Sequence, residues 1–159
     1  MQTVSEKVVI EPATEADLDE LSEMLGGLFA QESDFRPDKE KQLRGLRLIF
    51  EQPSRGRVFV LRRDGVIVGM INLLFTISTA EGGKAAWFED LVVHPDYRQQ
   101  GTGQKMLAYV VSQARAEGVL RITLLTDMQN ESAQALYRRA GFVGSPMRPM
   151  RLKLTKGNE

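Results

Sequence analysis

Residues 98–103, which read RQQGTG, form the stretch of sequence that decides the fold. Two glycines, Gly101 and Gly103, follow an apolar segment at residues 85–93 and precede a helical pattern. A strand, a glycine turn and a helix in this order present backbone N–H groups to one concavity, where the helix dipole favours negative charge. The stretch therefore predicts a phosphate-binding turn, in which Gly101 and Gly103 remove side chains so that a phosphate can approach the backbone. Arg98 would add a charge-assisted contact. A helix entry in which glycine only permits the turn is the alternative interpretation.

Neither of two familiar nucleotide-binding motifs fits this turn. A P-loop needs GxxxxGK[ST], but Gln104 separates Gly103 from Lys105. A dinucleotide-binding fingerprint needs a third glycine at the position where Met106 stands. The strand before the turn also belongs to a predicted antiparallel meander, not to the start of a β-α-β unit. A different phosphate compound is therefore the expected ligand.

Patterns on both sides of the turn predict the order of the elements. An Asp64-Gly65 pair between two apolar runs predicts a hairpin. Helical spacing predicts helices after Thr14 and Asp38, after the glycine turn, and at residues 131–140. Strands are predicted at residues 7–11, 57–62, 66–76, 85–93, 121–126 and 148–154, the last with Met150, Leu152 and Leu154 on one face. The resulting order, β-α-α-β-β-β-α-β-α-β, indicates a mixed sheet covered by helices, of the α/β or α+β class.

Length and composition restrict the classes of function. The 159 residues, 42% of them hydrophobic, suit a single domain spanning residues 1–159. A formal net charge of zero argues against a nucleic-acid partner. Without cysteine there is no disulfide, thiolate metal site or cysteine nucleophile, and no metal is predicted. No apolar run approaches the ~20 residues of a membrane helix, and no signal peptide is evident, so we expect a cytoplasmic protein with no membrane partner.

Three sequence blocks resemble one enzyme superfamily. Residues 98–103 match the pattern [QR]-x-x-G-x-[GA] of the GNAT superfamily of N-acetyltransferases, and the lead-in at residues 89–97 is similar to that family. So is the downstream block Asn130-x-x-Ala133-x-x-Leu136-Tyr137-x-x-x-Gly141-Phe142. The resemblance covers roughly residues 85–145. It implies a GNAT-type fold with a mixed, mostly antiparallel central sheet flanked by helices, and acetyl-CoA as cosubstrate.

The resemblance also implies where the cofactor lies. The turn would bind its pyrophosphate through the amides of Gln99, Gln100, Gly101, Thr102, Gly103 and Gln104, beside Arg98. The strand before it would splay from its neighbour and offer the backbone of Leu91, Val92 and Val93 to the pantetheine arm. Asn130 would contact the pantetheine or the approaching group, and a helix N-cap is its structural alternative.

Two catalytic roles follow from the same resemblance. Tyr137 occupies the family's general-acid position, near the leaving thiolate. Glu89 is the candidate base, as in polyamine-type members, because an amine with a pKa near ~10.4 arrives protonated. Asp90, its neighbour, is expected on the opposite sheet face because strand side chains alternate. A base elsewhere, or ordered water, is the alternative.

The acceptor site would involve Phe29 and Glu32 in the segment between the first two helices, together with Trp87 on the central strand. That segment also carries Asp34. Its carboxylates suit a cationic amine, and a solvated acidic loop explains them as well. We therefore expect direct acetyl transfer to the primary amine of a small molecule. A protein N-terminus or lysine is the alternative acceptor, a noncatalytic acyl-CoA-binding module the alternative function, and a homodimer through the late strands the implied assembly.

Overall fold

The computed structural model describes residues 6–32 and 35–155. Two 3-10 turns, Glu15–Asp17 and Pro95–Tyr97, precede α1 and the glycine turn. The helices are α1 (Leu18–Gln31), α2 (Lys39–Glu51), α3 (Thr102–Ala116) and α4 (Glu131–Arg139). The strands are β1 (Val8–Pro12), β2 (Gly56–Arg63), β3 (Val66–Ser78), β4 (Gly83–Val93) and β5 (Ile122–Leu124).

The five strands form one mixed sheet in the order β1-β2-β3-β4-β5. The first four are antiparallel neighbours, and β5 runs parallel to β4 because α3 provides the crossover. The β2–β3 hairpin turns at Asp64 and Gly65, whose φ angles of 49° and 83° are those of a type I′ turn. The predicted hairpin, the mixed sheet and the α/β fold class are confirmed.

Helices cover both faces of the sheet and create two cores. The α1–α2 core contains Leu21, Leu25, Leu46, Val60, Met70 and Val92. The α3–α4 core contains Ile71, Leu73, Phe88, Met106, Leu107 and Val110, with side chains of α4 against it. Neighbouring residues of β3 and β4 thus alternate between the two cores, and this alternation fixes which side chains reach each face.

A bulge interrupts β4 at the position that matters most for function. Val92 opposes Met70 and Glu89 opposes Asn72, so two residues of β4 stand opposite one residue of β3. Asp90, inside the bulge, has a φ of 58°, in the left-handed region that non-glycine residues seldom occupy. The bulge therefore re-aims the side chains around it and breaks the alternation that an unbroken strand would have.

Beyond the bulge, β4 loses its neighbour on one side. Its pairing with β5 ends at Phe88 opposite Leu124, because β5 is only three residues long. On the other side, Val92 and Val93 stay paired with β3. The end of β4 therefore has one backbone edge without a ladder partner among the described residues, which agrees with the expected splay of the two strands.

The predicted final strand at residues 148–154 is wrong. The described residues after α4 include no strand, and Met150, Leu152 and Leu154 are each more than four fifths exposed. Alternation of apolar residues specifies a strand face but supplies neither a neighbouring strand nor a core for it. Among the described residues the tail has neither, and these three apolar side chains are exposed to solvent.

Candidate active site

The glycine turn places free amides at the start of α3. Gln99 and Gly101 have φ angles of 61° and 79°, so the turn contains two left-handed residues. The Oγ1 of Thr102 donates to the carbonyl of Tyr97 at 3.3 Å and ties the helix start to the preceding turn. The amide of Lys105 is bonded to the carbonyl of Gly101 at 3.0 Å. The amides before Lys105 in this helix have no intrahelical acceptor, as an anion site requires.

The two glycines of the turn serve different purposes. Gly101 is required by its φ of 79°, and a Cβ there would have no heavy atom within 4 Å. A Cβ on Gly103 would lie 3.0 Å from Cδ2 of Leu136 on α4 and 3.7 Å from Cγ2 of Val93. Gly103 thus allows α3 to pack against α4. The expectation that both glycines clear space for a phosphate is wrong for Gly103, because its missing side chain faces protein.

Two arginines lie beside the turn, one expected and one not. Arg98 is exposed, and its Nε donates to the carbonyl of Val93 at 3.0 Å. Arg63, at the end of β2, donates to Oε1 of Gln100 at 2.8 Å and lies 5.4 Å from the ring centroid of Tyr97. Sequence reasoning missed Arg63 because it is 35 residues from Arg98 along the chain. Only the antiparallel sheet brings the end of β2 to the turn.

The strand expected to bind the cofactor presents its backbone rather than its side chains. Leu91 packs against the α3–α4 core and Val92 is buried in the α1–α2 core. Gln104, in the first turn of α3, is exposed. Asn130 caps α4: its Oδ1 accepts from the amide of Ala133 at 3.1 Å. That contact is the N-cap role given above as the structural alternative for Asn130. The exposed side-chain amide of Asn130 therefore lies at the N-terminus of α4, the helix that carries Tyr137.

Two carboxylates at the bulge share one face of the sheet. Phe88 points into the α3–α4 core, so Glu89 points toward α1. Asp90 also lies on that side, because its Oδ2 accepts from Nδ2 of Asn72 at 2.7 Å and Asn72 alternates with Ile71 of the α3–α4 core. The expectation that Asp90 points to the opposite face is therefore wrong. An unbroken strand would separate the two side chains, and the bulge brings them together.

Burial and neighbouring charge perturb both carboxylates. Burial raises the pKa of Asp90 to about 7, the negative charges of Glu89 and Glu32 add to this, and the Asn72 hydrogen bond opposes it. Partial burial raises the pKa of Glu89. Glu32, at the end of α1, thus acts on a carboxylate of β4, as expected for residues of one site.

Tyr137 is the phenol of this site. It lies on α4 and is partly buried against the α3–α4 core. Its ring centroid is 6.0 Å from the ring centroid of Phe142. Burial, followed by the negative charge of Glu32, raises its pKa to about 12. The negative charge of Glu32, at the end of α1, thus raises the pKa of both Asp90 and Tyr137.

Aromatic side chains border the site on the α1 side. Phe29 lies within α1 and not in the segment between the helices, where it was expected, and it packs against the α1–α2 core. Its ring centroid is 5.6 Å from that of Phe35, and Cζ of Arg151 lies 5.3 Å from the Phe35 ring centroid. Trp87 is 37% exposed and lies on the same strand as Glu89, two residues before it and on the same face. Asp34 lies outside the described residues.

Comparisons with known proteins agree with this architecture. The chain belongs to the acetyltransferase (GNAT) family, whose model matches residues 19–142. The aminoalkylphosphonate N-acetyltransferase of Salmonella typhimurium is 31% identical over 86 residues, 54% of this chain and 56% of that protein. The ribosomal protein bS18-alanine N-acetyltransferase of Escherichia coli is 31% identical over 70 residues, 44% of this chain and 47% of that protein. The chain thus spans about half the length of these curated relatives.

Solved structures share the fold over nearly the whole chain. An aminoglycoside N-acetyltransferase in complex with CoA superposes with a TM-score of 0.81 at 16% identity, covering 98% of this chain and all of that one.

Among the described residues, no helix is long and apolar enough to cross a membrane.

Proposed function

We propose that this protein is an acetyl-CoA-dependent N-acetyltransferase that transfers an acetyl group directly to the primary amine of a small molecule. The observation that carries the proposal is the pair of carboxylates, Glu89 and Asp90, on one face of β4 beside its open backbone edge. The same strand leads directly to the glycine turn and the start of α3. Membership of the acetyltransferase family supports the reaction class.

The turn and the open strand edge suit the two ends of one extended ligand. The amides of residues 99–104 would hold a pyrophosphate, with Arg98 and Arg63 beside them. The backbone of residues 91–93 would hydrogen-bond a pantetheine arm, as strand edges bind extended peptides. An acyl group at the end of that arm would then lie beside Glu89 and Asp90.

The carboxylates would prepare the amine for attack. A primary amine with a pKa near ~10.4 arrives as an ammonium ion, which has no lone pair for the thioester. Glu32, Glu89 and Asp90 form a negatively charged surface that attracts this cation. Glu89, the more exposed of the two β4 carboxylates, would meet it first, and the pair receives its proton.

Tyr137 would assist the departing thiolate. With a pKa of about 12 its hydroxyl is protonated at neutral pH and can donate a hydrogen bond. A thiol has a pKa near ~8.5, so leaving the phenol ionised after proton transfer would be unfavourable by roughly 5 kcal/mol. We therefore infer that Tyr137 stabilises the thiolate by hydrogen bonding and relays a proton, without itself staying ionised.

The acceptor is proposed to be a small amine because the acidic surface adjoins the ring pair of Phe29 and Phe35. Rings and carboxylates together suit the apolar and cationic parts of such a molecule. The similar proteins include enzymes named for a small aminoalkylphosphonate and for a ribosomal protein's alanine. A panel of polyamines, amino acids, amino sugars and peptide N-termini, assayed by thiol release, separates the two classes.

A tyrosine substitution tests the mechanism. Tyr137→Phe keeps the ring that packs on Phe142 and removes only the hydroxyl. We expect kcat to fall at least ~10²-fold while the Kd for acetyl-CoA changes less than about twofold. Tyr109→Phe is the matched control, because it makes the same change at a tyrosine in the middle of α3 whose ring packs on Phe59 of β2. Unaltered turnover in Tyr137→Phe would remove the hydroxyl from the mechanism.

We also propose that the tail assembles two copies of this chain. Its apolar side chains include Met147, Met150, Leu152 and Leu154, and β5 ends the sheet with its outer edge unpaired among the described strands. A tail strand from a second copy would cover both features. Light scattering after size exclusion should give a dimer for the wild type and a monomer for Leu152→Asp. A monomeric wild type at micromolar concentration would contradict this assembly.

A further inference from the structure

A buried amide lies beneath the two carboxylates. Asn72 is 2% exposed, in the middle of β3, between Ile71 and Leu73. Its Nδ2 donates to Asp90, but its Oδ1 is buried without a hydrogen-bond partner in the described structure. An unsatisfied buried acceptor is unfavourable, and an apolar side chain at this position would avoid it. Packing therefore does not explain Asn72, whereas its contact with Asp90 does.

The backbone of Asp90 departs from local rules at the same place. A φ of 58° is unfavourable for a residue with a Cβ, and the bulge removes Asp90 from the regular ladder. The strained conformation, the half-buried acid and the incompletely bonded amide thus coincide. Such departures cluster at functional sites, where the surrounding structure holds them in place.

Asp90 and Glu89 have different surroundings although they share a face. Glu89 is exposed on the strand, whereas Asp90 is half-buried and faces the negative charges of Glu89 and Glu32. The negative charge of Glu32 also raises the pKa of Tyr137 of α4, and Asn72 of β3 is neutral. Two nearby carboxylates titrate in separate steps, and the more buried one is the stronger base.

We propose that Asp90 is the carboxylate that accepts the proton from the amine, and that Asn72 is the residue that positions it. This inference rests on the proposed acetyltransferase function. Nδ2 of Asn72 holds Oδ2 of Asp90, which leaves Oδ1 for the ammonium ion. Glu89 attracts the cation and strengthens the base beside it. A pKa of about 7 suits this role, because a base is most effective when its pKa lies near the working pH.

The proton balance of the transfer is complete with these residues. The ammonium nitrogen gives one proton to Asp90, and its lone pair forms the C–N bond at the thioester carbon. The C–S bond then breaks, and the second nitrogen proton passes to the sulfur through the Tyr137 hydroxyl. Asp90 returns its proton to water.

The unpaired Oδ1 of Asn72 also gains a role in this cycle. Rotation of the amide by about half a turn presents Oδ1 to Asp90 in place of Nδ2. A protonated Asp90 can then donate its O–H to that oxygen. One side chain thereby serves both protonation states of the acid, which a purely donating residue could not do.

The pH dependence of kcat/KM for acetyl transfer tests the proposal. The assay measures thiol release with the fastest amine of the panel, in wild type, Asn72→Leu, Glu89→Gln and Asp90→Asn. Leu is close to Asn in size and removes both the donor and the unpaired acceptor. Met70→Leu, a conservative change two residues away on the same strand, is the control. Thermal unfolding of each variant verifies that it is folded.

The substitutions should move the acid limb of the profile in opposite directions. Loss of the Asn72 donor raises the pKa of Asp90, so the limb should move up by about one pH unit, with activity recovering at high pH. Loss of the Glu89 charge lowers that pKa, so the limb should move down. Asp90→Asn should lose about 10²–10⁴-fold at every pH. Met70→Leu should keep the wild-type profile.

The outcomes separate this inference from the proposed function. Turnover in wild type with an unmoved acid limb in Asn72→Leu, or with full activity in Asp90→Asn, would overturn the inference alone. Absence of acetyl-CoA turnover in wild type would overturn the proposed function. In that case a pH titration of the ¹³C carboxyl signal of Asp90, in unliganded wild type and in Asn72→Leu, tests the positioning role. We expect the pKa of Asp90 to be higher in Asn72→Leu, and equal pKa values in the two proteins would overturn the inference.

Discussion

Gly101→Ala separates the structural and ligand-binding roles of the glycine turn. Gly101 has a φ of 79°, and an added Cβ would meet no heavy atom within 4 Å. The left-handed conformation is unfavourable by roughly 1–2 kcal/mol for an L residue. Reduced freedom of the unfolded chain returns roughly 0.4–1 kcal/mol. We therefore expect a net loss of about 1 kcal/mol in the free energy of unfolding.

The same helix supplies a matched control. Gly118, just after α3, has a φ of 80° and an equally open Cβ position. Gly118→Ala should therefore lose about the same stability, since the backbone strain is the same. Only Gly101 belongs to the proposed phosphate turn. If the turn of Gly101→Ala relaxes to avoid the strain, acetyl-CoA binding must restore the left-handed conformation at a cost of about 1 kcal/mol. We therefore expect the affinity for acetyl-CoA to fall about fivefold in Gly101→Ala and to stay unchanged in Gly118→Ala.

Urea denaturation followed by circular dichroism measures the stability, and calorimetric titration measures the affinity. Gly101→Asn should lose less stability than Gly101→Ala, because Asn tolerates the left-handed region. Equal weakening of acetyl-CoA binding in Gly101→Ala and Gly118→Ala would refute the special role of the turn. An unchanged stability in both variants would refute the strain argument.

Other substitutions test the packing and the electrostatics of the fold. Leu107→Ala, in the fully buried α3–α4 core, should lose about 2–5 kcal/mol in urea denaturation, whereas Ile77→Ala, 83% exposed, should stay within about 0.5 kcal/mol. Arg62→Met removes hydrogen bonds to Asp17 at 2.7 Å and Glu11 at 2.8 Å, so stability at pH 7 should fall by about 1.5–3 kcal/mol. Since Arg62 lowers the pKa of Asp17, this contribution is present above the usual value of 3.8 and is lost as the pH falls through the lowered pKa. Stability curves of the two proteins should therefore converge in strong acid, and a constant difference would contradict the assignment.

Much of the fold follows from local sequence. The helices and the β2–β3 hairpin were predictable because their apolar spacing and the Asp64-Gly65 turn act over a few residues. The tail was not, because an alternating pattern says nothing about whether a neighbouring strand exists. Met150 and Leu152 repeat with strand periodicity and yet lie in solvent.

The site was predictable in its residues more than in its geometry. Strand alternation placed Asp90 opposite Glu89, and only the register of β3 against β4 reveals the bulge that reverses this. The missing side chain of Gly103 was assigned to the phosphate side of the turn, and only the fold brings Leu136 of α4 against it. Arg63 and Asn72 are missed for the same reason: both reach the site across the sheet, and sequence spacing does not carry tertiary distances.

Calorimetric titration of acetyl-CoA into the folded protein, freed of co-purified CoA and checked by mass spectrometry, tests the central claim most directly. We expect saturable one-to-one binding that CoA competes for and that ATP and NAD do not affect. No binding to verified ligand-free, folded protein would contradict the account, because the glycine turn and the open edge of β4 would then hold no such ligand.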